Sequence, residues 1–321
     1  MYKLTDLNSQ SRFNGYIPFK LGKKNKVNVM ALGDVGGTVV TGLRLLGADV
    51  IDEIGLCDIN YNMAKRYEIE MNQIAFPFDS VLMPKATAVE SGDLFNCDVF
   101  VFCASKAIPK LGSEVKDVRM AQFNENRKII EEYAKMAVRS NFKGLFAVVS
   151  DPVDPLCKAA FIAGGGELCN EQIKGFGLGV MNARALYYAK KNECYKSYLK
   201  EGRAFGPHGL DLIIANSLMD YNDEISKELT KLTIQANLEV RDLGFKPYIA
   251  PAISSAAISL ILTLRGEWNY SSNYIGQADE GAYFGSLNRM TNDGVELENK
   301  EIPSLLFERI KNSYDNLKAI I

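Results

Sequence analysis

Two stretches of this chain carry residue types and spacings suited to chemistry. One is built of glycines and acids, the other around a single histidine. Ala31-Leu32-Gly33-Asp34-Val35-Gly36 closes the apolar run Val27–Leu32 and opens a stretch with Val39, Val40, Leu43 and Leu46 at helical spacing. That is the setting of the G-x-G-x-x-G fingerprint, with Ala31 in the first glycine's place. Gly33 would let the backbone approach a pyrophosphate, and Gly36 would let helix and strand pack closely. The N–H groups of the first helical turn, those of Asp34 and Val35 among them, would meet the phosphates with the helix dipole behind them. Asp58 ends the next apolar run about 20 residues on, where a carboxylate accepts ribose hydroxyls and repels a 2′-phosphate. NAD is therefore expected over NADP. A plain tight turn would need only the glycines; the full order of strand, glycines, helix, strand and acid favours a nucleotide.

The chain has one histidine, His208, two residues after Gly206 and directly before Gly209. A multi-histidine metal site is impossible within one chain, and the six cysteines form no CxxC pair, so no metal is expected. An imidazole can serve as general base or general acid near neutrality, although a lone histidine is more often a surface or satisfied core residue. Arg184 opens a predicted helix, where a cation opposes the dipole, which favours a ligand explanation over a solvated one. Arg119 heads a long charged stretch and could be solvated surface.

The elements that must position these groups follow from periodicity. Short apolar runs at Val27–Leu32, Ile54–Cys57, Val81–Met83, Val99–Cys103 and Leu145–Val149 alternate with helical stretches at 62–74 and 120–140. Continuous apolar strands separated by helices predict a doubly wound parallel sheet covered on both faces. After about residue 170 helices dominate: 182–193, 211–221, 224–243 and 253–265. A strand pair at 270–275 and 283–290 follows, then a turn at Asn292-Asp293-Gly294 and a last helix over 304–321. The expected organisation is an arm or tail over 1–25, a nucleotide-binding domain over 26–170 and an α+β substrate domain over 171–321.

Composition narrows the class. With 321 residues and 47% apolar content the chain can bury a sizeable core. Its 37 basic residues against 39 acidic ones leave no basic footprint for nucleic acid. No run approaches the roughly 18 apolar residues of a membrane span. The polar, mixed-charge start MYKLTDLNSQSRF reads as neither signal nor transit peptide. Scattered cysteines, read as reduced thiols, point to the cytoplasm.

From Lys26 onward the residues resemble the lactate/malate dehydrogenase family. The likeness rests on Asp52–Asp58, Arg119 followed by Asn126, Asp151-Pro-Val-Asp154, Asn182-Ala-Arg184 and Gly206-Pro-His208-Gly209. Each motif is short; their order and spacing carry the resemblance. It implies a Rossmann-type sheet followed by an α+β domain, hydride transfer between NAD and a 2-hydroxy acid or 2-keto acid, and a homo-oligomer, dimer or tetramer. Arg184 would grip the substrate carboxylate in a bidentate fork. His208 would be the acid–base, and Arg119, on a closing loop, would polarise the developing carbonyl. Asn126 would lie by the cofactor, and Tyr248 near a position that sets substrate choice.

Three departures stand out. The family places an aspartate on the catalytic histidine three residues before the carboxylate-binding arginine; here that residue is Met181. The family's Asn-Pro-Val-Asp is Asp151-Pro-Val-Asp here. Asp151 could therefore supply the charge missing at Met181, or it could merely cap the helix that follows. The stretch from Ala104 to Arg119 is also longer than the family's. Lys106, Lys110 or Lys116 could meet a second carboxylate there, and Ile108 or Leu111 could line an apolar pocket. Met181 and Ala31 keep an alternative open, an NAD-binding pseudoenzyme or sensor with little chemistry. A metal-dependent glycosidase of similar fold is disfavoured, since no Cys-Asn-x-Pro segment exists.

Overall fold

The computed structural model describes residues 1–8, 15–78, 82–106, 118–277 and 280–321, with Val118 and Arg119 described by their backbone alone. Six strands lie parallel at its centre: β1 (Asn25–Met30), β2 (Ile51–Cys57), β3 (Lys85–Ala88), β4 (Val99–Phe102), β5 (Leu145–Val148) and β6 (Ile173–Gly175). Their order is β3-β2-β1-β4-β5-β6. The order reverses between β1 and β4, the crevice at which doubly wound sheets bind ligands. Helices α1 (Asp34–Leu46), α2 (Tyr61–Asn72), α3 (Val118–Arg139) and α4 (Val153–Ala163) connect the strands.

The apolar runs divide between two faces, as alternation along a strand requires. Val99 and Val101 of β4, with Leu145 and Ala147 of β5, pack in the cluster that holds Val39, Val40 and Leu43 of α1. Phe100, Phe102, Phe146 and Val148 point the other way, among Phe123 and Ile130 of α3 and Leu156 of α4. Burying each such side chain contributes about 1.5–3 kcal/mol.

The same sheet continues through β9 (Asn269–Ile275), β10 (Ala282–Thr291) and β11 (Gly294–Leu297), all antiparallel, joined to β6 by Gly175 opposite Ser272. The expected strand pair and its Asn292-Asp293 turn are present. Between β6 and β9 stand α5 (Leu178–Lys191), the short α6 (Tyr198–Glu201), a small ribbon of β7 (Arg203–Phe205) and β8 (Ile213–Ala215), α7 (Asp223–Asp242), a π-helical segment Pro251–Ile258 and α8 (Ser259–Arg265). The chain ends in α9 (Ser304–Lys318).

Two expected elements differ. The third strand is Lys85–Ala88 and not 81–83; Val81 itself lies outside the described residues. As the edge strand it buries only Ala86 fully, so hydropathy does not mark it. The helix expected over 211–221 is instead β8 followed by irregular chain. Ile214 donates its N–H to Thr230 Oγ1 at 2.9 Å and accepts from Ser226 Oγ at 2.6 Å, so α7 completes the ribbon's hydrogen bonding. A short apolar run cannot by itself separate strand from helix.

The first residues lie on the chain's own C-terminal half. Tyr2 pairs with Ile302 through the backbone and stacks on Phe307, while Leu4 is buried among Leu306 and Ile310 of α9. Among the described residues no helix is long and apolar enough to cross a membrane.

Candidate active site

The turn after β1 is shaped by three residues. Ala31 has φ +72°, the left-handed conformation for which the fingerprint normally uses glycine. A Cβ on Gly36 would stand 1.9 Å from the Ala31 carbonyl oxygen, so this helix–strand approach excludes any side chain there. Gly33 precedes the first residue of α1, and a Cβ there would meet nothing, leaving the space before the helix N-terminus open. Asp58 holds the turn from the end of β2, accepting from Leu32 N at 2.8 Å and Asn60 N at 2.9 Å. Val35 is half-buried beneath. Asp34 pairs with Lys246 Nζ at 3.0 Å, both side chains largely exposed. An open helix N-terminus, a glycine without neighbours and a fixed carboxylate fit a dinucleotide.

The second cluster gathers beyond β5, which lies two strands from β1 in the sheet. The segment 149–152 leaves the end of β5, and α4 begins at Val153 with no side chain capping it. The N-cap position itself is Pro152, and Asp151 stands one residue before it. Its Oδ1 instead lies 2.8 Å from His208 Nδ1, with side-chain exposures of 45% and 18% respectively. His208 is held by the flanking Gly206 (φ +88°) and Gly209 (φ +130°). Gly206 donates to the Gly285 carbonyl at 2.9 Å. Gly177 makes room as well, since a Cβ there would come within 3.0 Å of the His208 Cβ.

Arg184 is partly buried on α5. Burial pulls its guanidinium below the ordinary arginine value, and the Asp151 carboxylate pulls the other way. Among the described residues it forms no ion pair; its neighbour is Met181 Sδ at 3.9 Å. Met181 is buried in an apolar cluster with Tyr198, Leu212 and Leu229. Position 181 has thus become core.

Other expected site residues fall elsewhere. Asn126 is fully buried on α3. Its amide donates to the Asp151 carbonyl at 2.8 Å and to Ser105 Oγ at 3.2 Å, and its oxygen accepts from Lys106 N at 3.0 Å. These bonds spend it on joining the start of the enlarged loop to Asp151. Lys106 pairs with Glu125, whose carboxyl is held down at about 2 by Lys106 and Lys128. Tyr248 lies in the segment after α7, within electrostatic reach of Tyr67, whose hydroxyl abuts Gly37 on the nucleotide side. The Arg119 side chain, Ile108, Lys110, Leu111 and Lys116 lie outside the described residues. Among the described residues no group of three or more His, Cys, Asp or Glu is placed to hold a metal ion.

Asp154, quoted in the motif without a role, is the residue that sequence reasoning missed. It is 3% exposed, beside Ser272 and within electrostatic reach of His208, and burial pushes its carboxyl up to about 7. Its spacing was a usable signal: three residues on from Asp151, it falls in the first turn of the following helix.

A doubly wound sheet with a glycine turn after its first strand and a histidine–carboxylate pair after its fifth has the layout of a nucleotide-binding protein. Residues 25–173 match the family model described as lactate/malate dehydrogenase, NAD binding domain. An L-lactate dehydrogenase of Geobacillus thermodenitrificans is 32% identical over 168 residues, 51% of this chain and 49% of that protein. Another, from Borrelia turicatae, is 23% identical over 93% of this chain and 98% of its own length. At the higher identity, the chain spans about half the length of the curated relatives it matches. The malate dehydrogenase of Archaeoglobus fulgidus, solved in complex with NADH, superimposes with a TM-score of 0.73 at 20% identity, covering 92% of this chain and 98% of that one. Residues 25–173 therefore resemble the NAD-binding domain of the lactate/malate dehydrogenase family, and the whole chain shares the fold of those solved structures.

Proposed function

We propose that the protein is an NAD-dependent dehydrogenase that interconverts a small 2-hydroxy acid and its 2-keto acid. The observation that carries this reading is the 2.8 Å contact of His208 Nδ1 with Asp151 Oδ1. With Nδ1 on Asp151, Nε2 is the ring nitrogen assigned to the substrate hydroxyl. The Asp151 carboxylate favours the Nδ1–H tautomer and stabilises the imidazolium, so His208 can take the hydroxyl proton in oxidation and return it in reduction. Arg184 offers a planar fork to the substrate carboxylate, and its partial burial strengthens that attraction.

Bound NAD supplies the hydride acceptor. For its part the chain offers the open N-terminus of α1 and the Gly33 backbone to a pyrophosphate, and the Asp58 carboxylate to a ribose. Asn126 is assigned to positioning, since it anchors Asp151 and the loop start. Arg119, at the head of α3, is assigned to polarising the substrate carbonyl. The substrate's side chain is left open between lactate-like, malate-like and larger acids. The sensor alternative loses its main ground, because Met181 does not leave His208 without a carboxylate.

We extend the proposal to a homo-oligomer. Ile59, Ile69 and Phe78 around α2, and Leu243, Phe245 and Ile249 after α7, are exposed apolar residues suited to burial against a second copy. All six cysteines are unpaired, which fits a reducing, cytoplasmic setting. NADH oxidation against a panel of 2-keto acids tests the function. Turnover of at least one acid is expected; tight NADH binding without turnover on a broad panel would overturn it.

A further inference from the structure

Asp154 presents a physical conflict. It sits in the first turn of α4, where the helix N-terminus favours a carboxylate, yet it is 3% exposed. Its Oδ1 has no hydrogen-bond partner among the described residues, while the Ser272 hydroxyl of β9 donates to the carboxyl. The groups facing it can be named element by element. Asp151 lies just before α4, Cys157 one turn further along it, Ser272 on β9, and His208 on the 206–209 turn. Lys174 of β6 stands behind Cys157. Burial dominates and pushes the Asp154 carboxyl up to about 7; Ser272 and a charged His208 pull it down, and Asp151 pushes it up.

We propose that Asp154 is a positioning residue for His208: a buried carboxyl in the first turn of α4, with one oxygen unpartnered, whose charged form supports the charged imidazole. The two sites then titrate as a coupled pair. The proton Asp154 gives up goes to solvent at equilibrium, and none passes to the substrate. What the pair shares is the cost of charging His208, part of which the family's aspartate would otherwise carry. The consequence for turnover rests on the reading of His208 as the acid–base, whereas the titration itself does not.

The sole histidine makes this directly observable. In the full chain, the His208 Cε1–H resonance followed by NMR from about pH 5 to 9 reports one imidazole without overlap from another. The expected wild-type curve is broader than one site. Asp154→Asn is expected to give a simple one-site curve with its midpoint lowered by about half a unit to one unit. Ser272→Ala, which removes a donor that favours the ionised carboxyl, should move the midpoint the same way by less.

Stability gives an independent reading. A carboxyl raised from 3.8 to about 7 by folding contributes stability that is present below about 4 and lost as pH rises through 7. Urea unfolding should therefore show Asp154→Asn gaining on the wild type above pH 7. A one-site wild-type curve together with an unmoved midpoint in both variants overturns the proposal. Coupled titration without keto-acid turnover would keep this inference and sink the dehydrogenase reading; turnover with a one-site curve would do the reverse.

Discussion

The two walls of the candidate site have diverged in different ways. On the nucleotide side one residue is changed and the backbone is kept: Ala31 stands in the first glycine's place yet adopts that glycine's positive φ. On the catalytic side the change lies in which position supplies the carboxylate. Position 181 on α5 is apolar core, and the acid on His208 comes from 151, on the segment that follows β5. A phosphate cradle depends on backbone path and on the absence of side chains, and the 1.9 Å approach at Gly36 leaves no freedom there. A histidine needs only a carboxylate at Nδ1, and any element that reaches it can supply one.

The largest expected effect breaks the catalytic wall. His208→Gln should reduce keto-acid turnover by about 10³–10⁴-fold with NADH affinity unchanged, as stopped-flow fluorescence titration would show. A loss of NADH affinity of similar size would mean the two walls are not separable. Met181→Asp sharpens the contrast. It restores the family's residue but buries a carboxylate among Tyr198, Leu212 and Leu229, so it should cost roughly 3 kcal/mol or more in urea unfolding. Stability equal to the wild type would mean that position 181 can still serve His208. The smallest effect falls on the nucleotide wall: Ala31→Gly should stabilise by about 0.5–1 kcal/mol, by relieving the left-handed alanine.

How much of this was legible in the sequence varies with what holds each part. The central strands were legible because Val99–Phe102 and Leu145–Val148 are buried on both faces and so read as unbroken apolar runs. The edge strand Lys85–Ala88 was not, because it buries little. The run at 212–215 was misread as helix because its partners, Ser226 and Thr230, are polar residues on α7 that hydropathy does not register. At the site, Asp151 was legible as a departure from the family motif, since a carboxylate missing at 181 had gained a counterpart at 151. Asp154 was marked only by its spacing from Asp151, because its importance lies in burial beside Ser272, more than 100 residues further along the chain. Asn126 was expected by the cofactor, and sequence order does not reveal that its side-chain amide also bonds to Ser105, Lys106 and Asp151.

The central claim is that Asp151 stands in for the aspartate lost at Met181. Its most direct test is the pH dependence of kcat/KM for keto-acid reduction in Asp151→Asn against the wild type. Without the carboxylate the imidazolium is less stable, so the protonated, reducing form of His208 should give way at lower pH and kcat should fall by about 10²–10⁴-fold. Full turnover with an unchanged profile would contradict the claim and leave His208 to be supported from elsewhere.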